Sequence, residues 1–390
     1  MVAPFMPDAE KLAAVREALP ALSAGIYLAG ATAGPLPAET AAAMDEYAAR
    51  ELRTGRGHPD DVAAGLERLD EASAGVAAIL ATDAEAIALT HGGGDAIDRA
   101  ASAIDWRPGD HLLTTDGSAL LASSSGVVTA RFGVVNDTVA LAAGSDPDEI
   151  VAAFEAALRP ETRLVVVPHV LPTTGALLPI EAIAAAAHAR GSLVAVDGSQ
   201  AVGAVSVRAD DTGADFYAVT SETWLLGPEG LGALWARRGV ADAAPRRVDG
   251  RAFHKPSVVG FARSCGWLSM YVGLAWIHAR GTMLARAAAD RLARIPGVEV
   301  LTPQDRMATI VSFRIGGWPA DDALSELGSR VFAIAGTIPE LDAIRIGVGF
   351  YTSEAELDRF ASGVELLAAH TPGTLPPKPR LAILGQDDLR

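Results

Sequence analysis

Reactive amines and thiols are scarce in this chain of 390 residues. Its single cysteine, Cys265, excludes an internal disulfide framework and is typical of a protein in a reducing compartment. We interpret it as a small apolar packing residue rather than a reactive thiol. Only three lysines are present, Lys11, Lys255 and Lys378. A mechanism that attaches a cofactor or substrate to a side-chain amine must therefore use one of these three.

A basic surplus and long apolar runs are also missing. The formal net charge of −16 argues against nucleic acid or an anionic membrane as partner, because both attract basic surfaces. No uninterrupted apolar stretch approaches the roughly 20 residues that span a bilayer. The N-terminus lacks the basic start and apolar run of a signal peptide. We expect a cytoplasmic protein without a membrane partner.

Short apolar strands alternate with helical patterns through the first two thirds of the chain. Such strands with intervening helices predict a mostly parallel sheet of seven strands covered by helices on both faces. Ligands of these sheets bind where the strands end. The predicted strands are Ala86–Leu89, His111–Thr114, Gly126–Val135, Leu164–Val167, Leu193–Val196, Phe216–Val219 and Ala233–Ala236.

The pattern changes after Gly250, where a linker leads to a long helical region and then to mixed strands and helices. We predict four parts in total. Residues 1–25 form an N-terminal helix that packs on a small domain, and residues 26–250 form a large α/β domain with the pocket. Residues 251–370 form the smaller α+β domain, and 371–390 form an extended or disordered tail.

The stretch Asp215–Gly230 reads as a strand, a polar turn, an aromatic residue and a Gly-Pro pair. It resembles the lysine turn of class V aminotransferases, the pyridoxal-phosphate (PLP) family that includes cysteine desulfurases and isopenicillin N epimerases. The family turn reads roughly Ser-Gly-His-Lys-Trp-Leu-x-Gly-Pro, and its lysine holds PLP as a Schiff base. Here Thr223 stands at the lysine position and Glu222 at the histidine position. The resemblance implies PLP fold type I over nearly the whole chain.

Two further motifs keep the family's charged residues. Asp197 in Asp-Gly-Ser-Gln follows an apolar strand, and the resemblance implies that it pairs with the pyridine nitrogen of PLP while Gln200 lies near the phenolic oxygen. An Asp-Gly turn without chemistry is the alternative. Arg345 occupies the place of the arginine that holds a substrate's α-carboxylate, a bidentate task suited to guanidinium. The alternative is an arginine paired with a surface acid.

Two other motifs depart from the family. Three glycines, Gly92, Gly93 and Gly94, replace the hydroxyl residues that bind the cofactor's phosphate, although backbone amides at a helix start still bind anions. Ala119 replaces the histidine that stacks on the ring. Glu222 would bring a carboxylate close to that phosphate. If PLP binds, the cofactor set would comprise Asp197, Gln200, these three glycines and Ser221.

A third segment, from Pro168 to Gly175, resembles the pocket-lining "SHxxxxTG" segment of the family. His169 is a candidate acid or base because its ordinary pKa is near neutrality, and a structural histidine is the equal alternative. Thr174 and Arg345 are candidate substrate contacts. Arg263, with His254 and Lys255, lies in a segment that family dimers bring toward the neighbouring subunit's site. We predict no metal.

Three hypotheses on function stay open. The preferred one is a homodimeric enzyme of specialised metabolism that has abandoned covalent PLP. It uses Glu222, Thr223, His169 and Asp197 for lyase, epimerase or cyclisation chemistry on a small amino-acid-derived substrate. The second is a lyase or desulfurase-like enzyme that binds PLP or pyridoxamine phosphate non-covalently. The third is a non-catalytic subunit that forms a heterodimer with an active homologue.

Overall fold

The computed structural model of the protein describes residues 7–57, 59–116, 129–141, 144–240 and 253–378. Its helices are α1 Asp8–Glu17, α2 Ala38–Thr54, α3 Pro59–Leu80, α4 Gly93–Ser102, α5 Pro147–Ala157, α6 Ile180–His188, α7 Lys255–Gly266, α8 Leu274–Ala293, α9 Ala320–Val331 and α10 Glu354–Ala368. Its strands are β1 Ile26–Tyr27, β2 Ile87–Thr90, β3 His111–Thr115, β4 Val135–Val139, β5 Thr162–Pro168, β6 Leu193–Asp197, β7 Phe216–Thr220, β8 Gly232–Ala236, β9 Val298–Val300, β10 Ile310–Ile315, β11 Ala333–Ile334, β12 Gly336–Ile338 and β13 Ala343–Gly347.

Seven strands form the large sheet in the order β2-β8-β7-β6-β5-β3-β4. Strands β4, β3, β5, β6 and β7 are parallel, and β8 runs antiparallel to both β7 and β2. The predicted mostly parallel seven-stranded sheet is confirmed. Because β2 and the five parallel strands all point the same way, their carboxyl ends meet at one edge, which we call the site edge.

Helices cover both faces of this sheet, because alternate residues of its buried strands are apolar on either side. On one face, α4 packs Ile97 against the sheet together with Leu164 and Phe216. On the other face, α6 contributes Ile183 to a core that also holds Tyr217. Inner strands β6 and β7 are almost entirely buried, which explains their continuous apolar sequences.

One strand was predicted in the wrong place. The range Gly126–Val135 contains helical residues 129–132, and the strand itself is β4, which begins at Val135. Residues 126–128 lie outside the described ranges. Strand β4 is the edge strand of the sheet and is mostly exposed or half-buried, so its sequence Val-Asn-Asp-Thr-Val lacks the apolar run that marks the inner strands.

A second sheet of four antiparallel strands has the order β12-β13-β10-β9. Its core takes residues from α8, α9 and α10, and β1 pairs with β11 beside it. Helix α7 instead packs against α2 and α3, and its Phe261 and Cys265 belong to the core of the large sheet. The predicted domain boundary at residue 251 thus precedes a helix that packs with the first core.

The N-terminal helix is tied to the second half of the chain by Arg16, whose guanidinium forms an ion pair with Glu356 at 2.8 Å. Cys265 is fully buried, and burial raises the pKa of its thiol. Within the described ranges, no helix combines the length and the apolar character needed to cross a membrane.

Candidate functional site

The loop of residues 29–34 connects the predicted site segments at the site edge. The Gln200 side-chain amide donates to the carbonyl oxygen of Ala31 at 2.9 Å. The backbone amide of Gly34 donates to the carbonyl oxygen of Glu222 at 2.7 Å. The turns after β6 and β7 are therefore held on one short loop, although they lie far from it in sequence.

Arg345, on β13, reaches the same loop. Its Nη2 donates to the hydroxyl of Thr32 at 2.9 Å, and its Nη1 donates to the carbonyl oxygen of Pro172 at 3.2 Å. Burial lowers the pKa of the guanidinium from its ordinary value. Both acceptors are neutral, and no residue in the described part of the chain forms an ion pair with Arg345. The alternative of an arginine held by a surface acid has no support there.

Asp197 ends β6 and is 4% exposed. Its carboxylate accepts a hydrogen bond from the backbone amide of Ser199 at 2.9 Å, and burial raises the pKa of the carboxyl group. Among the described residues it has no cationic partner. Burial disfavours the charged form of this carboxyl group, and a bound cation would offset that cost.

Tyr217 was not predicted as a site residue. Its hydroxyl lies 2.6 Å from Nδ1 of His169, and its ring lies so close to Gly198 that a Cβ there would be 2.1 Å from Cε1. Burial raises the pKa of the tyrosine, and the Asp197 carboxylate raises it further. In the sequence, the only sign of this close contact was Gly198 of the Asp-Gly-Ser-Gln motif, because a residue without a side chain permits such an approach.

His169 makes its hydrogen bond with Tyr217, not with Glu222 or Thr223. It lines an open cavity of about 700 Å³ beside the start of α6, together with Glu181 and Arg208. Burial lowers the pKa of His169 to about 4, so the ring is neutral at pH 7. A histidine with this pKa is a weak base, which favours the structural alternative.

The turn after β7 contains Thr223, which is 5% exposed. Its hydroxyl donates to the carbonyl oxygen of Ser199 at 2.8 Å. Next to it, the Trp224 indole donates to the side-chain oxygen of Gln200 at 3.0 Å. The Thr223 hydroxyl therefore joins the two turns of the site.

Glu222, the preceding residue, is half-buried and its Oε2 is fully buried. No described residue donates a hydrogen bond to that oxygen. Burial raises the pKa of the carboxyl group, and the nearby Glu229 carboxylate raises it further. The hydroxyl of Ser221 is likewise buried without a partner among the described residues. Two adjacent residues thus carry unsatisfied polar atoms.

The glycine segment forms the start of α4. Gly92 is the N-cap with φ 97°, and no side chain caps the helix. A Cβ on Gly92 or Gly94 would meet no heavy atom within 4 Å, so the space around them is open. The first turn carries an acid, Asp95, which pairs with Arg99 at 2.8 Å. Any anion here would be held by the backbone amides of the helix start.

This helix start lies near the turn after β7. Strand register aligns Thr90, Gly232 and Thr220 across β2, β8 and β7. Two strand spacings separate the outer pair, which places them about 10 Å apart. Glu222 follows Thr220 by two residues, so its carboxyl group and the glycines belong to one region of the site edge.

None of the three lysines belongs to the turn after β7. Lys11 is buried with its ammonium 4.8 Å from the centre of the Trp276 ring. The side chain of Lys255 lies against Gly65 of α3, where an added Cβ would be 3.0 Å from its Cε. Lys378 forms an ion pair with Glu326 at 3.3 Å.

The remaining predicted residues contribute less. Thr174 is buried, and its hydroxyl accepts only a long hydrogen bond of 3.4 Å from the amide of Ala176. Arg263 is exposed on α7, and within the described ranges no hydrogen bond or ion pair joins it to the site edge. Ala119 lies outside the described residues. In the described ranges no cluster of three or more His, Cys, Asp or Glu residues is placed to hold a metal ion.

Comparison with known proteins identifies the family. The model of the family "Aminotransferase class-V" matches residues 26–360. Isopenicillin N epimerase of Streptomyces clavuligerus is 31% identical over 298 residues, which cover 67% of this chain and 74% of the epimerase. A probable cysteine desulfurase of Xylella fastidiosa (strain 9a5c) is 30% identical over 244 residues, 54% of this chain and 58% of that enzyme.

The fold also has solved counterparts. A lysine-to-alanine mutant of C-DES, with glycine covalently linked to its PLP cofactor, superposes with a TM-score of 0.83 at 21% identity. That superposition covers 90% of this chain and 98% of C-DES. The fold and the family match agree with the motifs at the site edge. This chain belongs to the class-V aminotransferase family and has the PLP fold type I.

Proposed function

We propose that this chain is a class-V enzyme that has lost the Schiff-base lysine and performs PLP-independent acid–base chemistry on a small amino-acid-derived substrate. The observation that carries the proposal is the turn after β7. Thr223 stands at the lysine position with its hydroxyl bonded to Ser199, and the chain's three lysines contact Trp276, Gly65 and Glu326 instead of belonging to this turn. No side-chain amine is therefore available at this turn for a covalent cofactor.

Arg345 would bind the substrate's carboxylate, because its guanidinium carries no counter-charge among the described residues and retains free donors. Glu222 would exchange a proton with the substrate. A carboxyl group whose pKa is raised is better matched to neutral pH than an ordinary one. Asp197 has the same property but is more deeply buried.

Thr223 and His169 would act as positioning residues. The Thr223 hydroxyl joins the two turns, and His169 holds the Tyr217 ring against Gly198. Proton transfer at the α-carbon is one first step for lyase, epimerase and cyclisation reactions alike, and only family analogy suggests these three reaction types.

The described residues fit PLP only in part. Asp197 would suit a pyridine nitrogen, because it is buried without a cation. The start of α4 offers open backbone amides to a phosphate, but Glu222 and Asp95 add negative charge nearby. This turn contains no lysine that could form a covalent link with the cofactor's aldehyde. We therefore assign no step of the proposed reaction to PLP.

Non-covalent binding of PLP or pyridoxamine phosphate is the second candidate, and Asp197 specifically favours it. The C-DES mutant is relevant here, since it carries a lysine-to-alanine substitution and has glycine covalently linked to its PLP cofactor. The same fold could hold the cofactor in this chain through Asp197 and the amides of Gly93 and Gly94. The cofactor would then act as the electron sink at the substrate's α-carbon.

One experiment separates these candidates. Protein freed of PLP is incubated with single amino acids in D₂O, and exchange of the α-proton is followed by NMR. The preferred proposal predicts exchange without PLP that falls about 10²-fold or more in Glu222→Gln. Exchange that requires added PLP contradicts it and supports the second candidate. No exchange under either condition contradicts both and is expected of a non-catalytic partner subunit.

We further propose a homodimer. Helices α2 and α3 expose three apolar side chains, Leu52 at 88%, Val62 at 36% and Leu66 at 49%. Exposed apolar groups on neighbouring helices favour burial against another chain. Light scattering on purified protein should give twice the mass of 40.1 kDa. A monomeric mass contradicts this proposal and leaves the heterodimer alternative.

A further inference from the structure

Ser199 is the residue at which the two turns of the site edge meet. Its backbone amide donates to Asp197, its carbonyl oxygen accepts from Thr223, and its hydroxyl lies 2.9 Å from that of Thr220. We propose that Ser199 is a positioning residue for Asp197 and that its hydroxyl, supported by Thr220, stabilises the ionised form of the Asp197 carboxyl group. The inference rests on the proposed function, because Asp197 is one of its acid–base groups, and it adds the residues that control the charge of that group.

The hydroxyls of Ser199 and Thr220 form a buried pair. Ser199 is 8% exposed and Thr220, the last residue of β7, is 6% exposed. Within the described ranges the Thr220 hydroxyl has no other hydrogen-bond partner. Buried polar groups depend on partners in the protein, so the Thr220 hydroxyl serves Ser199.

The direction of the hydrogen bonds in this pair decides what Ser199 offers to Asp197. A hydroxyl has a single hydrogen to donate and can accept at the same time, and either member of the pair can be the donor. If Thr220 donates to Ser199, the hydrogen of Ser199 is free for the Asp197 carboxylate. Hydrogen bonds in such a chain strengthen one another, so this direction favours the ionised carboxyl group.

Burial and the Ser199 side chain act on Asp197 in opposite directions. Burial raises the pKa of the carboxyl group, and the side chain and backbone amide of Ser199 lower it. With burial alone, the carboxyl group would keep its proton over a wider pH range and could serve only as a proton donor. An acid–base group has to take up and release a proton near the working pH, and the Ser199 hydroxyl favours release.

Other titratable groups around Asp197 lie on β7, on the turn that follows it and on α4, which packs against β6 and β7. Strand β7 carries Tyr217, whose pKa is raised by burial and by the Asp197 carboxylate, and the next turn carries Glu222. On α4, Asp95 and Arg99 pair with each other at 2.8 Å. Apart from burial, the groups that shift the pKa of Asp197 are the two hydrogen-bonding groups of Ser199.

The test is the pKa of Asp197 in the full-length protein, measured by NMR titration of isotope-labelled aspartate carboxyl groups. Asp197→Asn identifies the signal. We expect Ser199→Ala to raise this pKa by about one pH unit, because it removes a hydrogen bond to the charged form. Thr220→Val keeps the side-chain shape and removes the supporting hydroxyl, so it should raise the pKa by about half as much. Thr220→Ser restores the hydroxyl and should restore the parent value.

Thr223→Val is the matched control. Its hydroxyl bonds to the carbonyl oxygen of Ser199, so the substitution removes a hydrogen bond from the same residue and leaves the Ser199–Thr220 pair intact. The pKa of Asp197 should then stay within about 0.3 pH unit of the parent value. Equal shifts in Thr223→Val and Ser199→Ala would show that Ser199 acts only through the structure of the turn, and would overturn the inference.

An unchanged pKa in Ser199→Ala also overturns it. If Ser199→Ala does not fold, the comparison of Thr220→Val with Thr220→Ser decides, and the same pKa in both overturns the inference. The titration needs no substrate, so its result does not depend on turnover. If the pKa shifts as expected and the parent protein exchanges no α-proton in D₂O, the proposed function fails while the role of Ser199 stands.

Discussion

The turns after β6 and β7 lie side by side at the site edge, but they use their polar groups differently. In the first turn, Asp197 accepts from the backbone amide of Ser199, and both ends of the Gln200 amide are hydrogen-bonded. In the second, the Ser221 hydroxyl and Oε2 of Glu222 are buried without partners among the described residues.

We use this difference to distinguish the turn after β6, which has a structural role, from the turn after β7, which is the candidate functional turn. Buried polar groups are usually hydrogen-bonded, and we propose that a ligand supplies partners for the two exceptions in the second turn. Thr223 belongs with the hydrogen-bonded polar groups, because its hydroxyl donates to the carbonyl oxygen of Ser199. We therefore propose Glu222, rather than Thr223, as the chemically active residue of the second turn.

The largest predicted effect concerns the turn after β6 and tests how tightly Gly198 packs against Tyr217. In Gly198→Ala, the new Cβ would lie 2.1 Å from Cε1 of Tyr217 and 2.7 Å from the carbonyl oxygen of Ala218. We expect the free energy of unfolding to fall by about 3 kcal/mol in urea titration. Gly94→Ala is the control, since its Cβ meets nothing within 4 Å and should change stability by less than about 1 kcal/mol. Equal effects of the two substitutions would contradict the tight packing of Tyr217 against Gly198.

The second prediction concerns His169, which supports the first turn through Tyr217. Its pKa is lowered from 6.5 to about 4 in the folded protein, so the unfolded chain binds the proton first as pH falls. Stability from this group is complete above pH 6.5 and is lost as pH falls toward 4. His169→Gln should remove about 2 kcal/mol of the stability difference between pH 7 and pH 4. If the free energies of unfolding of the variant and the parent protein change in parallel with pH, the lowered pKa of His169 is ruled out.

The third prediction addresses the second turn directly. The pKa of Glu222 is raised in the fold, so its contribution to stability is complete below its ordinary value of 4.5 and is lost as pH rises. Glu222→Gln should therefore stabilise the ligand-free protein by about 1 kcal/mol at pH 7, a modest figure because the carboxyl group is only partly buried. The gain should disappear near pH 4. Destabilisation at pH 7 would show that the carboxylate has a partner.

The smallest predicted effect tests how Arg345 is oriented. Thr32→Val keeps the side-chain shape and removes the hydroxyl that accepts from Nη2. Because the second contact with Pro172 remains, propionate affinity measured by calorimetry should fall only about two- to fivefold. Thr54→Val on α2 is the control and should leave affinity unchanged. A loss as large as that of Arg345→Met would mean that Thr32 itself binds the ligand.

Much of the fold follows from the sequence because buried parallel strands such as β6 and β7 have continuous apolar runs. The edge strand β4 has no such run and was misplaced. At the site, motifs identified Arg345, Asp197 and Glu222 as separate residues. Sequence could not show that the loop of residues 29–34 contacts Arg345, Glu222 and the Gln200 of the Asp197 turn, since those contacts depend on tertiary packing. Tyr217 was missed because a buried strand residue gives no sign of where its hydroxyl points.

The central claim is that the second turn serves a substrate and that the protein acts without PLP, whether covalently or non-covalently bound. The most direct measurement is the absorbance spectrum of the purified protein after incubation with PLP and removal of unbound cofactor. We predict no retained band between roughly 330 and 430 nm, the range of bound pyridoxal compounds. A retained band with one PLP per chain would contradict the claim.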